Sequence, residues 1–356
     1  MNDKQTNKQT NRSIERQKKR ILYLDILNVL ACFAVLSLHH NGIVHNFNVN
    51  TLAWKQSLVY EVLFYWAVPI FFMLTGATLF GYRNKYSTND FFKKRVFRAI
   101  IPFIIWSVIL LFHSWLVGKY TYKNINEILS AIITTRIYHG DIYWFFIPLI
   151  SLYCFIPVLS LLKDNRNILW YMAIFLFVTH SCLPLLFLSL GIKYNNSLSF
   201  PVVGYVLFLI LGYLFSTIEL SRKQRMVIYL LGLISAFIRY AGTYYYSLEQ
   251  GKIDKFLFGY IQFHSVLLAL AVFVLVKEVG KSVTSIKISN FLAVLSSCSL
   301  GIYLIHKLVM SYELKFLQIT ADNTYWRFIG AFLTYFLCLS VVLFVKRIPY
   351  LRFIFP

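Results

Sequence analysis

The chain has 356 residues, of which 58% are hydrophobic, 18% aromatic and only 14% charged, and its formal net charge is +21. Soluble domains carry about 25% charged residues, so the composition excludes an ordinary water-soluble protein and points to an integral membrane protein. The excess of positive charge is spread between apolar runs rather than gathered in one domain, which fits retention at an anionic membrane surface and argues against a nucleic-acid partner.

Residues 1–20 are polar, basic and free of aromatic side chains, the composition of a disordered tail. The apolar stretch that follows is too long for a removed signal peptide and lacks its small-residue cleavage site. Runs near the ~20 residues that cross a bilayer then recur at 21–41, 57–80, 96–117, 143–162, 168–190, 199–217, 227–245, 256–277, 289–311 and 325–348. The expected fold is therefore all-α, an integral membrane protein of about ten transmembrane helices. One membrane domain fills 21–348, and a short tail covers 349–356.

Lysines and arginines alternate between the intervening segments. With the N-terminus inside, 24 fall in inner segments and 8 in outer ones, and the positive-inside rule then places both termini in the cytoplasm. The five cysteines lie in apolar runs without metal-like spacing and read as free thiols. No internal repeat or phosphate-binding loop is present.

In the first run, Asp25, Asn28, Cys32, Val35 and His39 follow one helical face. An imidazole at membrane depth is costly, so His39 is a functional candidate by default. Imidazole also has the pKa that a general base needs near neutrality. His40 points to another face and reads as structural. In the second run Glu61 lies about a turn inside the outer end. It can orient His39 as carboxylates do in triad-like sites, or it can be a solvated interfacial acid.

Arg95 and Arg98, three residues apart at the inner start of the third run, share a face. Such a pair grips phosphates through forked hydrogen bonds, although positive-inside retention also explains it. Tyr143 and Trp144 open the fourth run, where they offer a stacking surface for a sugar or join an interfacial aromatic belt. The outer loop with Asn41, Asn46, Asn48 and Asn50 can hydrogen-bond a glycan, as can many polar loops. Arg239 in the seventh run is a candidate for offsetting substrate charge. In the ninth run Ser299, Tyr303 and His306 share a face, with Lys307 beside them. His306 reads either as a substrate-binding group or as a packed histidine bonded to Tyr303. His113, His180 and His264 have no spacing that would form a metal site.

Four segments taken in order resemble the acyltransferase family 3 membrane proteins: Tyr23-Leu24-Asp25 through His39; Val68-Pro69 through Thr75-Gly76; Lys94-Arg95-Val96-Phe97-Arg98 with Pro102; and Ser299 through His306. Tyr143-Trp144-Phe145-Phe146, Tyr153 and Pro157 belong to the same pattern, which runs from about residue 21 to 348. Within that family the chain is most similar to bacterial sugar O-acetyltransferases, such as the one acting on enterobacterial common antigen. The resemblance implies a multi-pass protein of the bacterial plasma membrane. It implies transfer of an acyl group, usually acetyl from acetyl-CoA, to a hydroxyl of a surface polysaccharide or lipid-linked sugar.

On that resemblance His39 matches the family's essential histidine; Glu61 is the catalytic companion read from its position alone, beside its reading as an interfacial acid. Arg95, Arg98 and Asn28 are the expected acyl-CoA contacts, although Asn28 stands eleven positions before His39 where the family carries a basic residue. Thr75-Gly76-Ala77 likewise replaces a Ser-Gly-aromatic motif and is given no catalytic role. Tyr303, His306 and Trp144 are the expected substrate contacts, and no metal is expected. A route through an acylated histidine stays open beside direct transfer. The rival readings are a glycan or lipid-linked oligosaccharide transporter and a non-catalytic assembly scaffold.

Overall fold

A computed structural model describes residues 21–355; the expected basic tail over 1–20 lies outside the described residues. All regular structure among them is helical. Among the described residues nine helices are long and apolar enough to cross a membrane: α1 (Leu22–His40), α2 (Leu52–Asn84), α3 (Thr88–Leu116), α4 (Asp141–Leu162), α5 (Arg166–Ser189), α7 (Arg222–Gln250), α8 (Phe263–Ser282), α9 (Ile286–Leu317) and α10 (Gly330–Arg347).

The sixth expected run yields a shorter helix, α6 (Val206–Thr217), of 12 residues. At ~1.5 Å per residue it rises about 18 Å, well short of the bilayer core. Pro201 and Gly204 keep the first part of that run out of the helix. Gly204 in this irregular stretch is covered by protein, since a Cβ there would lie 3.1 Å from both His180 and Ile261, whereas Pro201 and Val203 beside it are exposed. Val206 through Ile210 are almost wholly buried, as expected of a helix apolar on every side.

Two helices are interrupted near the sites described below. In α2 the chain turns at Tyr65 and Trp66, because Pro69 has no amide to offer the Tyr65 carbonyl and its ring crowds that group. In α3 a π-helical segment, Val96–Ile100, separates Thr88–Arg95 from Ile101–Leu116. The helix begins at the Ser87 cap, so Arg95 lies two turns inside it rather than at its start as expected.

Helix α1 sits at the centre, packed against α2, α8, α9 and α10, while α7 packs mainly on α8 at the periphery. The second half of α2 and α6 meet backbone to backbone. A Cβ on Gly76 would fall 1.9 Å from the Leu209 carbonyl oxygen, and one on Gly212 would fall 2.0 Å from that of Met73. Small residues permit this approach where apolar lipid gives helices little reason to associate.

Basic side chains stitch one end of the bundle together. Arg83 donates to the Pro157 carbonyl and Ser160 Oγ, Lys163 donates to Asn84, and Arg166 donates to the Thr217 carbonyl. Lys277 Nζ caps α6 by donating to the carbonyls of Phe215 and Ile218, a favourable place for a cation. Beside it Glu219 bridges Lys277 and Lys281, which holds its carboxyl below the usual range. Residues 349–355, expected to be a simple tail, fold back on α3. Phe355 is buried and stacks on Trp106, and Trp106 Nε1 donates to the Ile354 carbonyl.

Candidate active site

At the end away from the basic stitching, a cavity of about 360 Å³ opens between α1, α2, α4 and α9. His39, Glu61, Trp144, Tyr303 and Lys307, all singled out in the sequence, line it together with His45, Tyr65, Asp141 and Tyr260. His39 is half-buried in the last turn of α1. Neither of its ring nitrogens bonds a protein group among the described residues, so the imidazole keeps a lone pair for a substrate proton.

Glu61 lines the same wall, but its carboxylate is held elsewhere. Arg239 Nη2 lies 3.3 Å from Glu61 Oε1, both side chains are buried, and Arg239 also donates to the carbonyls of Glu61 and Leu257. The expected tie from Glu61 to His39 is not formed among the described residues. Glu61 neutralises a buried guanidinium instead, and that arrangement is costly to break. The guanidinium carbon sits 3.4 Å from the centre of the Tyr65 ring. Tyr65 stacks on Tyr260 at 4.1 Å, and Tyr260 on Trp144 at 5.5 Å. Arg239, Tyr65, Tyr260 and Trp144 thus form a continuous ladder along the cavity wall. One face of Trp144 is therefore taken by Tyr260, and burial pushes the Tyr260 phenol well above its ordinary range.

Tyr303 and His306 stand apart in role. The Tyr303 hydroxyl donates to the Ile142 carbonyl, and Tyr143 returns a hydroxyl to the Leu304 carbonyl at 2.7 Å. This exchange fixes the start of α4 against α9. His306 is fully buried behind His39, with ring centres 5.2 Å apart, and lies off the cavity wall. Its Nδ1 is 2.7 Å from the Tyr303 backbone carbonyl, so the bond runs to the main chain rather than to the phenol. His40 is structural as expected: its ring nitrogens meet the Trp326 carbonyl and Thr334 Oγ1, and Thr334 in turn donates to Glu313.

Toward the basic end a second cavity, of about 340 Å³, gathers Asn28, Arg95, Arg98 and Tyr153. Arg95 stands near the rings of Phe91 and Tyr153, and its buried Nε has no hydrogen-bond partner among the described residues. An unsatisfied cationic donor on a cavity wall suits an anion. Arg98 lies within the π segment that follows Arg95, and both arginines line this cavity; such segments are common at functional sites. Asn28 Nδ2 donates to the carbonyl and hydroxyl of Ser296 at 2.9 Å, so the amide braces α1 on α9 where the family carries a charge.

A third cavity, about 480 Å³, shares Asn28 and Arg98 with the second and Tyr303 with the first. The three therefore run in sequence along α1 from the arginines to His39. From Asn28 to His39 the helix rises about 17 Å.

Sequence reasoning passed over His45, Tyr65, Asp141 and Tyr260. The turn Gly42–His45 after α1 carries His45 back to the cavity, and the surrounding protein holds its imidazole below the ordinary value against the pull of Glu61. Pro69, four residues after Tyr65, was the available signal for the break that presents that ring.

A family model described as an acyltransferase domain, that of acyltransferase family 3, matches residues 21–345. No curated protein and no solved structure matches the chain.

Proposed function

Since the chain belongs to the membrane acyltransferases of family 3, we propose that it moves an acyl group, acetyl in the first instance, from acyl-CoA to a hydroxyl of a surface polysaccharide or lipid-linked sugar. The observation that carries this reading is the succession of cavities between Arg95 and Arg98 at one end and His39 at the other, each sharing at least one lining residue with the next. A CoA thioester has anionic phosphates at one end and the reactive carbonyl at the end of a long arm. The arginines suit the phosphates, and the intervening cavities suit the arm.

In this reading the basic end faces the cytoplasm of a bacterial cell, where acyl-CoA is made, and both termini lie on that side. The acceptor oxygen attacks the thioester carbonyl carbon while its proton passes to His39. As the tetrahedral centre collapses the carbon–sulfur bond breaks, and the proton on His39 returns to the departing CoA sulfur. Tyr303 and Trp144 shape the acyl pocket. Glu61 acts through Arg239 on the wall, and His306 acts by supporting the His39 ring.

The test is an analysis of acyl esters on the cell-surface glycan from cells expressing wild type and His39→Ala. Glycan exported in normal amount but lacking the ester supports the enzyme reading. Loss of export with the ester intact on the retained glycan overturns it in favour of a transporter.

A further inference from the structure

A separate polar groove of about 550 Å³ reaches His39 from the loop side. Its lining includes Asn46, Phe47, Asn48 and Thr51 from the segment after α1, and Asp322 from the segment before α10. It shares only His39 and Gly42 with the first cavity and no residue with the two cavities at the basic end. His39 is thus the meeting point of two approaches, one aromatic and traceable to the arginines, the other rich in amides.

The groove is built on a fixed frame. Arg327, 2% exposed, donates to the carbonyls of Asp322 and Ala53 and to Gln56 Oε1, so one guanidinium ties both walls. Asn41 Nδ2 adds a bond to the Arg327 carbonyl, and Trp54 Nε1 holds the Val44 carbonyl. By contrast the side-chain amides of Asn46 and Asn48 form no hydrogen bond among the described residues. Each offers a donor and an acceptor, Asp322 adds a carboxylate, and Phe47 adds an apolar ring. A polyol presents this mixture of hydroxyl donors, hydroxyl acceptors and an apolar C–H face.

Resting on the acyl-transfer reading above, we propose that this groove is the acceptor subsite, where Asn46, Asn48 and Asp322 hold a sugar ring so that one hydroxyl reaches His39. Donor and acceptor then arrive through different openings. Binding energy from the amides serves to orient the hydroxyl against the thioester rather than to retain acyl-CoA. Arg327 is a positioning residue that keeps the two walls at their separation.

The experiment uses the full chain in lipid nanodiscs, radiolabelled acetyl-CoA, and methyl glycosides of hexoses and N-acetylhexosamines as acceptor probes. The Asn46→Ala/Asn48→Ala double variant is expected to raise the KM for the glycoside about tenfold and leave the KM for acetyl-CoA unchanged. Asn48→Cys modified with a bulky charged methanethiosulfonate is expected to lose transfer. The same modification of Ser197→Cys, on an exposed residue outside every cavity described above, is expected to have no effect. Unchanged glycoside KM, or a rise confined to acetyl-CoA, overturns the subsite and leaves the acyl-transfer reading standing. Absence of transfer from wild type to every glycoside overturns both.

Discussion

The rings of His39 and His306 lie 5.2 Å apart with their planes tilted by 36°, and the Tyr303 carbonyl beside His306 Nδ1 fixes the second histidine's tautomer. A carbonyl only accepts, so Nδ1 carries the proton and the buried Nε2, which has no partner among the described residues, keeps its lone pair. His306 therefore presents an acceptor edge inside the protein and packs its ring against the proposed base. Replacing His306 by Phe keeps the packing and removes both nitrogens. We expect kcat to fall about tenfold with the KM for acetyl-CoA unchanged, because the variant loosens the His39 ring without touching the donor path. Steady-state kinetics in nanodiscs reads the split.

The Glu61–Arg239 pair is a structural element of the cavity wall. Arg239→Ala leaves a buried carboxylate without its partner, a change that costs on the order of 3 kcal/mol or more, and it dismantles the ladder through Tyr65. Glu61→Gln keeps a carbonyl acceptor for the guanidinium and should cost less. Thermal unfolding in detergent should rank wild type above Glu61→Gln and Glu61→Gln above Arg239→Ala. Equal losses in the two variants would contradict the assignment.

Two glycines should respond in opposite ways. Gly76→Ala drives a methyl into the Leu209 main chain and should cost about 3 kcal/mol, at the upper end of overpacking effects. Gly42 has open space where its Cβ would stand and lies at the junction of the two openings to His39. Gly42→Ala should leave stability and transfer close to wild type, whereas Gly42→Trp should reduce transfer at least tenfold at nearly constant melting temperature.

His139 lies in the loop before α4 at φ 62°, and burial, reinforced by His113 and Lys307, pushes its imidazole down to about 4. The unfolded chain titrates near ~6.5, so between these values it binds a proton that the folded loop refuses. Stability is then full above about pH 6.5 and declines as the pH falls toward 4. His139→Asn accepts the left-handed backbone and removes the titration. The melting temperature should therefore drop less between pH 7 and pH 5 in the variant than in wild type.

Much of the helical architecture was legible because lipid imposes a length on helices. The ten expected runs correspond to the ten helices described, in order. The sixth is the exception in length: Pro201 and Gly204 sit inside an apolar run, and hydropathy alone does not register that they keep its first part out of the helix. Within the site, one helical face predicted that Asn28 and His39 point the same way, and both line the cavities along α1. Glu61 illustrates the limit. Its depth suggested a partner for His39, but the guanidinium that takes its carboxylate is 178 residues away, a pairing that no local pattern encodes. His45 was missed because its approach depends on a tight turn after α1 rather than on continued helical periodicity.

The central claim is that His39 takes the acceptor proton at the end of a path that begins at Arg95 and Arg98. It is tested most directly by transfer of label from acetyl-CoA to a glycoside by purified wild-type, His39→Ala and Arg95→Ala/Arg98→Ala proteins in nanodiscs. Loss of a general base typically costs 10²–10⁴-fold. The account predicts a loss of about that size in kcat for His39→Ala with donor KM preserved, and a raised KM for acetyl-CoA in the arginine variant. Label transfer by His39→Ala at the wild-type rate would contradict it.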